Sequence, residues 1–464
     1  MLTQQELEKY LTLCMDSEGD FAEIYEENEF SETIRTLNGK AEKTERAITS
    51  GIGIRLYKDL QSVYGYSNET DEASVLALIN DLREAVGTAG DKAVEPVRLT
   101  RVEYENNNPI RIDFREVSMD DKMAYLLRAY QAAKDYDSRI VKVRADMLNV
   151  HQEVQISTSE GRLIGDTRVR TRIYVDAFSQ EDGVLQSGGF YPGGGKGLEF
   201  YEDDTTPEEA AREAARVAIV KLHAKDCPSG KMPVVIDNAF GGVIFHESCG
   251  HALEATSVAK NQSVFSGKFG TQIANPCVSA VDDGTIPNAW GSQNIDDEGN
   301  FQQRRQLIKD GVLTSYMIDR LNSRRMGMEP TGSGRRQSYR FEPTSRMSNT
   351  YICPGKDSFE SLFEGIEKGL YAKKMGGGSV NPQTGEFNFS VMEGYLIENG
   401  KITDPVKGAA LIGSGAEILM NIDKVSDNLA RGQGMCGSLS GSIPTDVGQP
   451  AIRVSSITVG GTAQ

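Results

Sequence analysis

A chain of 464 residues with 50 Lys and Arg against 67 Asp and Glu carries a formal charge of -17. Its average field repels phosphate backbones and anionic lipid, which argues against direct partnership with nucleic acid or a membrane surface. The length suffices for two ordinary domains whose cores need neither disulfide nor metal. The six cysteines (Cys14, Cys227, Cys249, Cys277, Cys353, Cys436) are scattered without a CxxC pair. The opening MLTQQELEKYLTLCMD suits neither a signal nor a transit peptide, and no apolar run approaches a membrane span. Reduced thiols and a cytoplasmic location are therefore expected.

In chain order, residues 4 to 15 read as a short amphipathic helix, followed by alternating runs through FAEIYEENEF and SETIRTLNGKAEKTERAI. Asn38-Gly39 between them is a type I′ hairpin signal, because both central residues of that turn need positive φ. A second hairpin is predicted over 50 to 67, then a helix that starts near Asp71 and reaches about Val86. A further round follows: a helix near 114 to 135, two strand regions (RIVKVRADMLNVHQEVQIS and RLIGDTRVRTRIYVDAFS), and a helix over TPEEAAREAARVAIVKLHA. The pattern resets around CPSGK, which divides the chain into an amino-terminal unit, 1–225, and a carboxyl-terminal unit, 226–464. The fold class predicted is α+β: an amino-terminal α/β domain with antiparallel sheets and flanking helices, then a β-rich domain built around one special helix.

That helix is predicted over NAFGGVIFHESCGHALEATSVAK, after a buried strand at MPVVI, with later strands joined by turns at Asp310-Gly311 and Asn399-Gly400. About forty-five residues rich in Gly, Ser, Asn and Asp separate it from a strand near 305, a length expected of a lid or a substrate wall. GGFYPGGGKG (188 to 197) fails as a phosphate loop, since Phe190 and Gly197 stand where Gly and Ser/Thr are required, and it reads as a turn or hinge, as does Gly376-Gly377-Gly378.

The chemistry concentrates in His246-Glu247-Ser248-Cys249-Gly250-His251. Only four histidines occur in the chain, and two of them flank a glutamate here. Neutral imidazoles bind zinc, the metal acidifies a water, and a glutamate that is not a ligand takes its proton. The spacing is not that of HExxH. In a regular helix positions i and i+5 lie about 140° apart, too far to share one tetrahedral ion. Gly250 leaves the surface between the imidazoles bare and tolerates a one-residue widening, so a π-type turn near Cys249 and Gly250 is expected. A third ligand is needed, and spacing leaves Cys436, Cys249, Glu254, His223 and His151 open, with Glu254 alternatively orienting an imidazole. Arg335, Arg336, Arg340 and Arg346 read as surface or dimer salt-bridge partners, or as a grip for substrate charge. Asp282-Asp283 and Asp296-Asp297-Glu298 lack an EF-hand pattern and read as loop acids near a cleft.

On this motif, followed by Ala252-Leu253-Glu254, and on DDEGNFQQRRQLIKDGVLTSYMIDR, GEFNFSVMEGYLIENGKITDPVKGAALIGSG and the ending GMCGSLSGSIPTDVGQPAIRVSSITVGGT, the chain closely resembles the TldD/PmbA family. Within it the TldD branch carries HExxxH, whereas the PmbA (TldE) branch generally lacks it. The resemblance implies a metallopeptidase whose Zn2+ is held by His246, His251 and Cys436, with Glu247 as catalytic base acting on flexible peptides. It implies also a dimer, either a homodimer or a heterodimer with a TldE/PmbA-type subunit. Two other readings stand beside it: a non-catalytic regulator, after the family's label of gyrase modulator, and a structural zinc staple. Neither gives Glu247 a task.

Overall fold

The computed structural model of the protein describes residues 1–87, 94–381 and 384–462. Its fold is mixed α+β, with three large sheets and one two-stranded ribbon. Among the described residues no helix is long and apolar enough to cross a membrane.

The first sheet is two long antiparallel hairpins side by side. Phe21–Leu37 pairs with Lys40–Lys58, and Ile140–Thr158 pairs with Arg162–Glu181, while Phe21–Leu37 and Ile140–Thr158 join the two. The two rounds of pattern in the sequence thus build one sheet. Asn38 and Gly39 both take positive φ, +49° and +73°, as the I′ turn requires. FAEIYEENEF continues through SETIRTL as one strand, and KAEKTERAI opens the next. Lys40–Lys58 turns back into Gln61–Ser67 to make the second predicted hairpin.

The helices lie close to their expected ranges. Gln4–Met15 and Pro207–Leu222 each begin with a threonine in a capping box, and Asp71 caps Glu72–Val86. The third starts later than expected, at Met119, behind a short 3₁₀ turn over Phe114–Glu116. An alanine stripe, Ala210, Ala211, Ala214, Ala215 and Ala218, lets Pro207–Leu222 sit tightly on the sheet. There a Cβ on Gly188 would meet Ala214 O at 2.3 Å, so this glycine serves close approach and not a hinge. Gly376-Gly377-Gly378 likewise lies inside a strand, Lys368–Val380.

Beyond residue 225, Lys368–Val380, Gly230–Ile236, Ile452–Gly460, Ala410–Ser414 and Glu386–Glu398 pair in that order, and the first pairs again with the last. This closes a five-stranded ring around the largest apolar core, in which Val234 and Ile236 are wholly buried. The last large sheet runs Val312–Leu313, Arg304–Lys309, Ala280–Asp283, Asn349–Ile352, Gly441–Gln449, Ala430–Ser438. Asp310-Gly311 and Asn399-Gly400 make the expected positive-φ turns.

Two expectations fail here. The predicted long helix around the motif is instead a chain of short turns, described below. The glycine- and acid-rich stretch before 305 is neither lid nor exposed wall, because most of residues 278–299 are buried between the first sheet and the rest of the chain. Asp282 and Asp297 are counterions, Glu298 shares Arg55 with Glu23, and Asp296 accepts from backbone and asparagine N–H groups. Arg55 Nη2 donates to Glu23 (2.6 Å) and Glu298 (2.8 Å), Arg336 Nη2 to Glu23 (2.6 Å), and Arg168 Nη1 to Asp297 (2.6 Å). Asp282 pairs with Arg305 on the neighbouring strand. All these groups are buried. Burial pushes the Glu298 carboxyl up to about 8 against the pull of Arg55, whereas Arg55 and Arg336 keep Glu23 below its ordinary range despite its burial.

Removing one partner of such a network strands the others without water. Arg55→Ala is expected to lower unfolding stability by about 3–5 kcal/mol, read as a drop in the urea midpoint.

Candidate metal centre

The motif begins where a run of close backbone contacts bends the chain. Ala239 takes φ +56°, and a Cβ on Gly242 would lie 2.4 Å from the Gly448 backbone. One α-helical turn, Val243–Phe245, leads into a π-helical turn, His246–Gly250, and then a 3₁₀ turn, His251–Leu253. The widening sits where the five-residue spacing demands it. Two glycines make room for it. A Cβ on Gly250 would meet the buried Met347 Sδ at 2.2 Å, and one on Gly415 would meet the Ser248 carbonyl oxygen at 1.9 Å.

The widened turn sets the two imidazoles nearly perpendicular, ring centres 5.0 Å apart. Cys436 arrives from the edge strand Ala430–Ser438. Its Sγ is 3.3 Å from His246 Nε2 and 3.2 Å from His251 Nε2. The three donor atoms lie within 4.8 Å of one another, and they form the candidate metal group among the described residues. Around a tetrahedral zinc, nitrogen at about 2.0–2.1 Å and sulfur at about 2.3 Å stand roughly 3.5 Å apart. The observed separations are slightly tighter, and the donor set of two imidazoles and a thiolate suits a borderline-soft ion. Burial alone would raise the Cys436 thiol, but the charge and hydrogen bonds of His246 and His251 hold it well below the ordinary thiol range, as a ligand requires.

Glu254 is turned onto the far side of His251, its Oε1 3.2 Å from Nδ1. That contact sets a carboxylate against the Nδ1 edge of the ring and turns the Nε2 edge toward the cysteine. Glu247 Oε2 lies 3.7 Å from His251 Nε2 with its side chain 22% exposed, more open than either imidazole's surroundings.

The other candidates lie elsewhere. Cys249 is wholly buried in the apolar core with its thiol pushed up by burial. His151 is on the first sheet beside Asp113 and Glu153, and His223 caps Pro207–Leu222 beside Arg139 and Glu181. Arg335, Arg336 and Arg346 are buried, which overturns both the surface and the substrate-charge expectations for them; Arg340 alone is exposed. What sequence reasoning missed is a second layer around Cys436. Trp290 Nε1 donates to the Gly434 carbonyl (2.8 Å), and Arg172, from the first sheet, donates to Gln433 O (2.7 Å) while lying over the Trp290 ring.

Three family models cover almost the whole chain: PmbA/TldA metallopeptidase domain 1 matches residues 22–93, the central domain 112–222 and the C-terminal domain 229–461. The chain belongs to the PmbA/TldD metallopeptidase family and is a metallopeptidase. It is 37% identical to the metalloprotease TldD homolog of Haemophilus influenzae over 96% of this chain and 93% of that one. Over 52% of this chain and 54% of the relative it is 32% identical to a zinc metalloprotease TldD homolog of Saccharolobus solfataricus. Its fold matches a Thermotoga maritima protein described as a modulator of a DNA gyrase (TM-score 0.80, 22% identity, 99% and 100% of the two chains). It also matches TldE from Thermococcus kodakarensis (TM-score 0.77, 17% identity, 98% and 99%).

Gly415→Ala should push the motif turn off its π geometry. The expected result is a lower metal content than wild type after loading with zinc and dialysis, in a chain that keeps its circular dichroism, checked by elemental analysis.

Proposed function

We propose that the protein is a zinc-dependent peptidase of the TldD type, with His246, His251 and Cys436 as metal ligands and Glu247 as general base. The observation that carries this reading is the convergence of two Nε2 atoms and one sulfur on a common point with a partly exposed carboxylate beside it. When bound, zinc supplies Lewis acidity at an open fourth position. Glu247 takes a proton from the attacking water and returns it to the leaving amine, which its position beside His251 and its residual exposure allow. Cys436 contributes a thiolate, a stronger charge donor than a carboxylate, so modest turnover on flexible peptides is expected.

The structural-staple reading needs a fourth protein ligand. Glu254, the candidate for it, is engaged on the outer nitrogen of His251. A regulator without hydrolysis would leave Glu247 idle; the modulator description belongs to the Thermotoga maritima protein. The division near residue 225 is proposed on the ground that no sheet is shared across it, apart from Lys225 at the boundary itself, which pairs with Val406: the first sheet uses residues between 21 and 194, the others residues between 225 and 460. A dimer is proposed as well, a homodimer or a pair with a TldE/PmbA-type chain, and the shared fold with TldE supports such pairing.

Glu247→Gln tests the mechanism. Hydrolysis of an unfolded, fluorescently labelled polypeptide should fall by about 10²–10⁴-fold while zinc stays near one per chain; wild-type turnover in this variant would remove Glu247 from the reaction.

A further inference from the structure

Residues Ser345, Arg346 and Met347 run close to the motif and to the strand that carries Cys436. Ser345 N–H donates to Thr256 Oγ1 (3.1 Å), just beyond the motif. Met347 packs where a side chain on Gly250 would otherwise stand. Between them, Arg346 is completely buried. Its Nη2 donates to the Cys436 carbonyl, and its Nη1 donates to Ser440 Oγ and the Gly441 carbonyl, both at 2.9 Å. These acceptors are Cys436 itself and the tight turn that follows it. The other edge of the guanidinium, Nε, lies 3.8 Å from Glu254 Oε1, the carboxylate that holds His251 Nδ1.

We infer that Arg346 is a positioning residue for the metal centre, holding Cys436 through its backbone and facing Glu254, the carboxylate beside His251, at ion-pair range. The inference rests on the reading of His246, His251 and Cys436 as metal ligands. A buried guanidinium is costly to desolvate and persists where its fixed fork is used. Here both Nη atoms are bonded to Cys436 and the turn after it, and Nε, without a hydrogen bond of its own, sits 3.8 Å from Glu254 Oε1. A lysine would keep the charge but, as a single point donor, could not hold the Cys436 carbonyl and the following turn together. Partners one layer out from a metal ligand typically change affinity about 10–100-fold when altered.

The test is zinc affinity by chelator competition, together with the absorption spectrum of the cobalt(II)-substituted protein, whose thiolate-to-metal charge-transfer and ligand-field bands report sulfur distance and geometry. The proteins compared are wild type, Arg346→Lys and Ser440→Ala. Arg346→Lys should bind zinc about 10–100-fold more weakly and shift both sets of bands, in a chain whose circular dichroism matches wild type. A role confined to packing would lower the unfolding temperature and leave affinity and bands unmoved, and that result overturns the inference. If Arg346→Lys does not fold, Ser440→Ala decides, because Ser440 Oγ meets this centre as the acceptor of Arg346 Nη1. Weakened zinc binding with altered bands supports the inference, and unchanged values overturn it. Absence of zinc binding in wild type, matched by no effect of His246→Ala, would instead overturn the metal-site reading beneath it.

Discussion

Everything at this site depends on bringing a sulfur to within 3.3 Å of two imidazoles from which it is separated by 185 to 190 residues. No local propensity can do that. The motif turn supplies only one side of the site, and the other is an edge strand whose position is set by its pairing with Gly441–Gln449 and by donors aimed at its carbonyls. The closed ring of strands, three of which lie in sequence between the motif and Cys436, gives the long intervening chain a fixed path. Closure removes the free edges along which register could slip, so the ends of the path arrive in one place.

The second constraint is electrostatic. The first sheet and the remainder of the chain meet through arginines and carboxylates that are nearly all withdrawn from water, including Arg55, Arg168, Arg336, Glu23, Asp297 and Glu298. Such a joint contributes less net stability than an apolar one of equal area, but it tolerates few alternative alignments, because any slip leaves a buried charge without its partner. Arg172 extends this coupling to the edge strand: a residue of the first sheet holds a carbonyl three positions from Cys436. The amino-terminal half is therefore part of the scaffold of the site and not an independent appendage.

How much of this was legible in the sequence follows from how local each feature is. The histidines, the glutamate and the widened turn could be read because they lie within six residues and the i+5 spacing has a single geometric remedy. Helix starts at Asp71 and the hairpin at Asn38-Gly39 were readable for the same reason, being set by side chain and φ at the position itself. The extended helix around the motif was not, because the close packing of Gly242, Gly250 and Gly415 breaks it from outside. Cys436 had no local mark to separate it from Cys249, and only the family resemblance singled it out. The acids at 282–283 and 296–298 were read as loop acids near a cleft, and the arginines at 335, 336 and 346 as salt-bridge partners or a grip for substrate charge, since charge normally implies solvent. The partners of Glu298, Asp297 and Arg336 come from strands more than a hundred residues away, and pairing of that kind leaves no local periodicity.

Trp290 is the only tryptophan in the chain, and its indole N–H is bonded to the carbonyl two residues before Cys436, beneath the guanidinium of Arg172. Indole emission responds to hydrogen bonding and to nearby charge. The protein thus carries a single built-in optical reporter at the junction of its first sheet with the strand that presents the thiolate, and its intrinsic fluorescence follows the state of that junction without any label.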